Sequence, residues 1–547
     1  MPRVLASLFL VTVTAMVMAF IAPVSTAQTP GPSPVQTGTL FQPSGQCMTC
    51  HNGVATPSGE DVSFGTLWRA SMMAHSARDP YWQAGVRREV TDHPRAQAAI
   101  ENECSRCHMP MAHVQTQALG RQLSVFANLP AVVVGAADPL AVEGVSCAVC
   151  HQIKSDSLGT KSSFTGGFVI DLTTPLEQRQ MFGPYDVDRG RTALMRSATG
   201  LVPTPSTHIQ QSEVCATCHT LYTHTLNAAG EPTSEFPEQM PYQEWLHSEF
   251  RDTESCQSCH MPVVTQPTPI TSVLGEPREN LSRHDFRGAN FLMLGVLNRF
   301  RADLGVVARP AELDAAIMRT KTFLQSSSAT VSVDRAEFVQ GRLEADIVLR
   351  NLAGHKLPTA YPSRRVWLRV TVHDEQRRLV FSSGEVEPTG AIAGNDNDLD
   401  ATRFEPHYRE IRSGDEVQIY EAIMGTETRA VTTGLLSAVS YLKDNRILPR
   451  GFDKRTAPGD VAVHGDALAD PDFGAGEDRV RYSIDTGGVR GPFTIEVQLW
   501  YQSIAYRWAQ NLRGYSSAEP QRFVAYYDQM APGAALMLTR AARTVER

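Results

Sequence analysis

The sequence has no cluster of lysine or arginine and no cysteine outside one recurring pattern. Past its first two dozen residues it also has no apolar run long enough to span a bilayer. The missing basic cluster removes the electrostatic footprint of a nucleic-acid binder, so no nucleic-acid partner is expected. The missing apolar runs leave no transmembrane segment in the body of the chain. The absence of a leftover cysteine removes any free structural or reactive thiol from consideration. What remains is a 547-residue chain, 42% apolar and 20% charged, of ordinary globular composition and long enough for two to four domains. Its formal charge of −8 fits a partner with a basic docking face.

All ten cysteines fall in one five-residue pattern: CMTCH (47–51), CSRCH (104–108), CAVCH (147–151), CATCH (215–219) and CQSCH (256–260). Zinc sites take four ligands, usually from two C-x-x-C pairs, and five pairs do not divide evenly. Disulfides suit an exported protein but make no use of the residue after the second cysteine. Histidine is 16 of 547 residues, so histidine at that position five times in five by chance is roughly one in 10⁷ or rarer. The pattern is that of c-type haem attachment.

The chemistry explains the spacing. Cysteines at i and i+3 lie on one side of a helical turn, so both reach the two vinyl-derived carbons on one porphyrin edge. The next histidine then approaches the iron from the same face as its proximal ligand. Five covalently bound haem c groups are therefore expected. Their thioether residues are Cys47, Cys50, Cys104, Cys107, Cys147, Cys150, Cys215, Cys218, Cys256 and Cys259, and their proximal ligands are His51, His108, His151, His219 and His260.

Residues 1–27 carry Arg3, an apolar run from 4 to 22 and then Ser25-Thr26-Ala27, the form of a secretory signal peptide cut after Ala27. Export to the periplasm or beyond the cell agrees with haem attachment of this type. Residues 28–46, rich in Pro, Gly, Ser and Thr, form a flexible lead-in. The motifs occupy a mostly helical and loop-rich cytochrome domain, 47–290, in which the haems supply apolar bulk. A helical connector follows at 291–327.

From 328 to 547 the period changes to two. RLEADIVLR places Leu343, Ala345, Ile347 and Leu349 on one face, and RVWLRVTVH does so with Val366, Leu368, Val370 and Val372. FTIEVQLWYQ repeats the pattern with Phe493, Ile495, Val497, Leu499 and Tyr501. The expected fold is α+β multidomain: a helical pentahaem cytochrome domain followed by a β-sandwich-like domain. The acidic stretch NDNDLD (395–400) lacks the Gly and Glu positions of a calcium loop and is expected to be a solvated turn.

Eleven histidines lie outside the motifs, more than the five needed for bis-histidine ligation throughout. His113 follows CHMPMA too closely to reach the far face of its own haem and is assigned to a neighbouring one. Met109 and Met261, each directly after a proximal histidine, sit on the wrong side of their own iron and are expected to pack.

The motifs, together with WRASMMAHSARDP, EWLHSEFRDTESCQSCHMP, SRHDFRGAN, NLAGHKLPT and YLKDNRILPRGF, resemble the bacterial multihaem c-type cytochromes, the group that includes relatives of hydroxylamine oxidoreductase and pentahaem nitrite reductase. The resemblance covers most of the chain after the signal and includes a β-rich C-terminal domain. It implies distal ligation by His284 of SRHDF and His355 of GHKLPT. Relatives often read SMHAHA in the first stretch; here it is SMMAHS, so His75 or Met73 is the implied ligand, and a methionine would raise that haem's potential. His208 precedes a motif as distal histidines do in this group.

Two departures limit the inference. All five motifs end in histidine, whereas the pentahaem nitrite reductases bind their catalytic haem through a lysine-ended motif. Hydroxylamine oxidoreductases carry eight haems. Neither activity transfers. The expected function is electron transfer between periplasmic or membrane redox proteins, the alternative being an oxidoreductase with one open iron acting on a small nitrogen, sulfur or oxygen species. The β-domain is a candidate docking or self-assembly surface.

Overall fold

The computed structural model describes residues 39–129 and 138–546. The signal peptide and most of the lead-in lie outside the described residues. The remainder of the lead-in is packed rather than loose. Leu40 and Phe41 are fully buried beside Met109, Met111 and Val149, because the N-terminal segment covers an apolar surface of the motif half.

The motif half consists of short helices and loops, as its irregular sequence predicts. Each motif sits on or at the end of a helical turn, which the backbone bonds His51 N to Cys47 O (3.0 Å), His151 N to Cys147 O (3.1 Å) and His219 N to Cys215 O (2.9 Å) display directly. Pro80–Asp92 is the longest helix here. Pro80 occupies its first turn, and Asp79 caps it by accepting from the backbone N–H groups of Tyr81 and Trp82. Four two-stranded sheets depart from the helical expectation, the largest being the antiparallel hairpin of Leu221–Leu226 and Pro232–Gln239.

The C-terminal half is built on two sheets. One is four-stranded, in the order Glu410–Ile411, Glu477–Asp485, Arg342–Asn351, Ala329–Val339. The other has seven strands, with Arg365–His373 between Ile419–Gly425 and Phe493–Gln502, and Ala535–Val545 beyond the latter. The three alternating faces read from the sequence all enter one buried core between the sheets.

That core does not stop at the sheets. The connector helices Phe291–Arg299 and Pro310–Ser327 contribute Leu292, Leu297, Leu313 and Leu324 to it. Arg69 of the motif half clasps Glu312 of the second connector helix through Nε at 2.8 Å and Nη2 at 2.5 Å. The C-terminal half also sends the Ala518–Met530 helix back onto Pro80–Asp92. Phe523 meets Tyr81 at 4.9 Å between ring centres, and Arg87 pairs with Glu519 at 2.8 Å. The two halves are thus joined by shared core, and no helix among the described residues is long and apolar enough to cross a membrane.

Candidate haem sites

All ten cysteines and all five motif histidines line one connected cavity of about 1740 Å³. Single-ligand pockets run to about 1,000 Å³, so the space is built for more than one small group. No two of the cysteines are joined as a disulfide. Thiols of different motifs face one another: Cys47 with Cys147, Cys107 with Cys218, and Cys215 with Cys256. Cys150 lies within electrostatic reach of both Cys215 and Cys218. The motifs therefore run 1–3–4–5 in space, with motif 2 beside motif 4.

Four motif histidines are oriented by the backbone. Nδ1 of His51 bonds Ile270 O at 2.8 Å, that of His108 bonds Ser76 O at 2.9 Å, that of His151 bonds Phe182 O at 2.6 Å, and that of His260 bonds Arg287 O. A carbonyl accepts, so each Nδ1 carries the proton and each Nε2 keeps its lone pair for a metal. Burial lowers all five motif histidines, His108 and His260 to about 4, so they are neutral at pH 7, the form that ligates.

Two further imidazoles complete pairs. His284 faces His151, and His355 faces His260, each with ring centres 6.2 Å apart and planes within 8° and 16° of parallel. Face-to-face contact would bring the rings to about 3.5–4 Å. By contrast, a metal bonded at about 2.0 Å to the Nε2 of two opposed imidazoles sets their centres about 6.3 Å apart. Nδ1 of His284 is turned away onto Ser282 O (3.0 Å), and that of His355 onto Lys356 O (2.9 Å). All four rings line the cavity. The residues fit an iron between each pair.

The remaining candidates behave otherwise. His208 spends both nitrogens on the protein, Nδ1 with Ser206 Oγ at 2.6 Å and Nε2 with Ile153 O at 2.8 Å, and lies outside the cavity wall. It ties two chain segments together. His113 bonds Ser105 Oγ at 2.8 Å through Nδ1 and also lies off the cavity, because its helix turns that face into a packed core. His75 is buried with neither nitrogen bonded, but it does not line the cavity, whereas Met73 does. Of the two implied ligands in SMMAHS, Met73 borders the haem space and His75 keeps both ring nitrogens free of protein partners. Met109 is fully buried in core, as expected of a packing residue.

Consequently His51, His108 and His219 face no second imidazole at this spacing among the described residues. Trp82 instead stacks on His108 at 4.4 Å, 4° from parallel. Among the cavity-lining groups that the sequence did not single out are His224, on the hairpin, and Arg364, which has no carboxylate partner among the described residues and lies close enough to His219 to lower its proton affinity beyond the effect of burial. A lone Arg in a loop and a His in a polar strand carry no local signature.

Two other clusters resolve as structural. In NDNDLD, Asp398 is buried and bidentate with Arg365 (2.9 Å twice), and Asp396 pairs with Arg403, so these carboxylates are used by arginines and Asp398 is not solvated. His407, Asp470 and Asp478 lie within metal-binding distance of one another. Yet Asn445 and Gln418, each anchored by a backbone N–H on its carbonyl oxygen, both aim their NH₂ groups at His407 Nδ1 (3.1 and 3.0 Å). Nδ1 is thus an acceptor, and Nε2 carries the proton toward Asp470 at 3.2 Å, which leaves no lone pair for an ion.

No protein-family description and no curated protein sequence matches this chain. Its fold is similar to one solved structure, a penta-heme cytochrome c552 from Thermochromatium tepidum, with a TM-score of 0.51. The likeness is one of fold. Identity is 15%, and the match covers 93% of this chain and 100% of that one, so it takes in the sandwich as well as the motif half.

Proposed function

We propose that the chain is an exported pentahaem c-type cytochrome that carries electrons between periplasmic or membrane redox partners. The observation that carries this reading is the pair of near-parallel imidazole couples, His151 with His284 and His260 with His355, built into a cavity lined by five CxxCH motifs. Haem bound there supplies reversible one-electron chemistry. The chain's own residues would hold it by two thioethers and an imidazole per motif; a backbone carbonyl fixes the tautomer of four of the five motif histidines, and the groups share one connected space. The run of motifs 1–3–4–5 suits transfer along the array. Kinship with the wider group containing hydroxylamine oxidoreductase and pentahaem nitrite reductase belongs to this proposal, supported by the quoted motifs and by the similarity of fold to a penta-heme cytochrome.

A second reading is favoured by two observations: among the described residues three motif histidines face no second imidazole, and Arg364, with no carboxylate partner there, brings a cation to the wall near His219. An iron left open there would act on a small nitrogen, sulfur or oxygen species. Optical and EPR spectra of the holoprotein, oxidised and then reduced with and without carbon monoxide, decide between them. All haems low-spin and none binding carbon monoxide supports the carrier. A high-spin haem that takes up carbon monoxide supports the enzyme.

A further inference from the structure

The loop that presents His355 is fastened by buried charges drawn from both halves of the chain. Glu244, in the Pro241–Leu246 helix of the motif half, is fully buried. Its Oε2 accepts from the backbone N–H of Lys356 at 3.1 Å and from Thr359 Oγ1 at 2.5 Å, while Oε1 meets Arg446 Nη1 at 2.8 Å. Arg446 closes on Asp444 through Nε at 2.8 Å and Nη2 at 2.7 Å, and Lys356 Nζ reaches the same carboxylate at 2.7 Å. On the other side of the loop, Asn351 Nδ2 donates to the His355 carbonyl at 2.8 Å.

Apolar packing is non-directional and would hold the two halves together without setting this loop to within a few tenths of an ångström. Hydrogen bonds to the residues flanking His355 do set it, and an axial bond requires that positioning. The network is also intolerant of partial loss, because removing one buried charge leaves its partners uncompensated. We propose that Glu244 is a positioning residue for the fifth haem: by gripping Lys356 N and Thr359 Oγ1 it holds His355 opposite His260. Six-coordination of that iron then depends on the sandwich half being docked on the motif half. The inference rests on His355 being an iron ligand.

The test uses reduced holoprotein with carbon monoxide as probe, across urea concentrations below global unfolding. His355→Ala is expected to bind carbon monoxide at one haem in five without urea. Glu244→Gln cannot present acceptors to both Lys356 N–H and Arg446, and Thr359→Val removes one donor without touching charge. Each is expected to show the same new carbon monoxide band, with about tenfold more of it than wild type at a given urea concentration. The proposal is overturned if both behave as wild type while His355→Ala opens the iron. If His355→Ala takes up no carbon monoxide, the ligand assignment itself fails and the proposal falls with it. Should Glu244→Gln fail to fold, the Thr359→Val result decides.

Discussion

Replacing His284 by alanine separates iron ligation from packing. The imidazole lines the cavity and is half-buried, touches Phe64 at 4.6 Å between ring centres, and makes one protein hydrogen bond, to Ser282 O. Its loss removes the ring opposite His151 and leaves a space of water or carbon monoxide size. One of five haems, a fifth of the iron, is then expected to become high-spin when oxidised and to bind carbon monoxide when reduced. The stability cost is expected to be about 1–3 kcal/mol, from the lost contacts and one hydrogen bond. His208→Ala is the matched control. It deletes a buried histidine whose two nitrogens serve Ser206 and Ile153. It should cost about 1–3 kcal/mol in stability and leave every haem's spin state unchanged. The assay is EPR of the oxidised protein with a carbon monoxide titration of the reduced one. A fully low-spin His284→Ala protein, or an open iron in His208→Ala, would refute the geometric reasoning.

Other consequences follow from the same contacts. Asp398→Asn strips the partner from Arg365, itself buried, and is expected to cost about 3–5 kcal/mol in urea unfolding; a loss under 1 kcal/mol would contradict the burial. Ile347→Ala, inside the sheet-to-sheet core, should cost about 2–5 kcal/mol. Because that core also takes in the connector helices, the haem spectrum and the sandwich should be lost in one transition, and two separated transitions would count against a shared core. Burial raises the proton affinity of Asp444, but Arg446 and Lys356 outweigh it and hold the carboxyl well below its ordinary value of 3.8. The folded state therefore binds this proton more weakly than the unfolded chain. The stabilisation is present above about pH 4 and is lost as pH falls further; Asp444→Asn should flatten that acid limb, and an unchanged limb would count against the network. Glu238 has the opposite sign. Burial pushes it up to about 7, so stability falls as pH rises from about 4.5 toward 7, and Glu238→Gln should gain up to about 3 kcal/mol at pH 8.

The parts legible in the sequence are those whose signal is local. The CxxCH spacing needs only one helical turn, and the alternation in 343–349, 366–372 and 493–501 needs only a strand with one buried face. His284 and His355 entered through a family resemblance carried by the strings SRHDF and GHKLPT, not through a local rule. What local pattern could not show was the competition for histidine nitrogens. His208 and His113 look as eligible as His284, and only the folded chain brings Ile153 O to one and Ser105 Oγ to the other. The hairpin 221–239 was hidden because it is largely polar on its outer strand, and the Ala518–Met530 helix because its partner lies more than four hundred residues away. Leu40 and Phe41 sat in a stretch whose prolines and serines masked two core residues.

The most direct test of the central claim is the haem content of the purified holoprotein, by intact mass and pyridine haemochrome, read together with its EPR spectrum. The account predicts five covalently attached haems per chain, with at least two low-spin sites of nearly parallel bis-imidazole type, assignable to His151–His284 and His260–His355. Fewer than five haems, or no bis-imidazole low-spin signal, would contradict it.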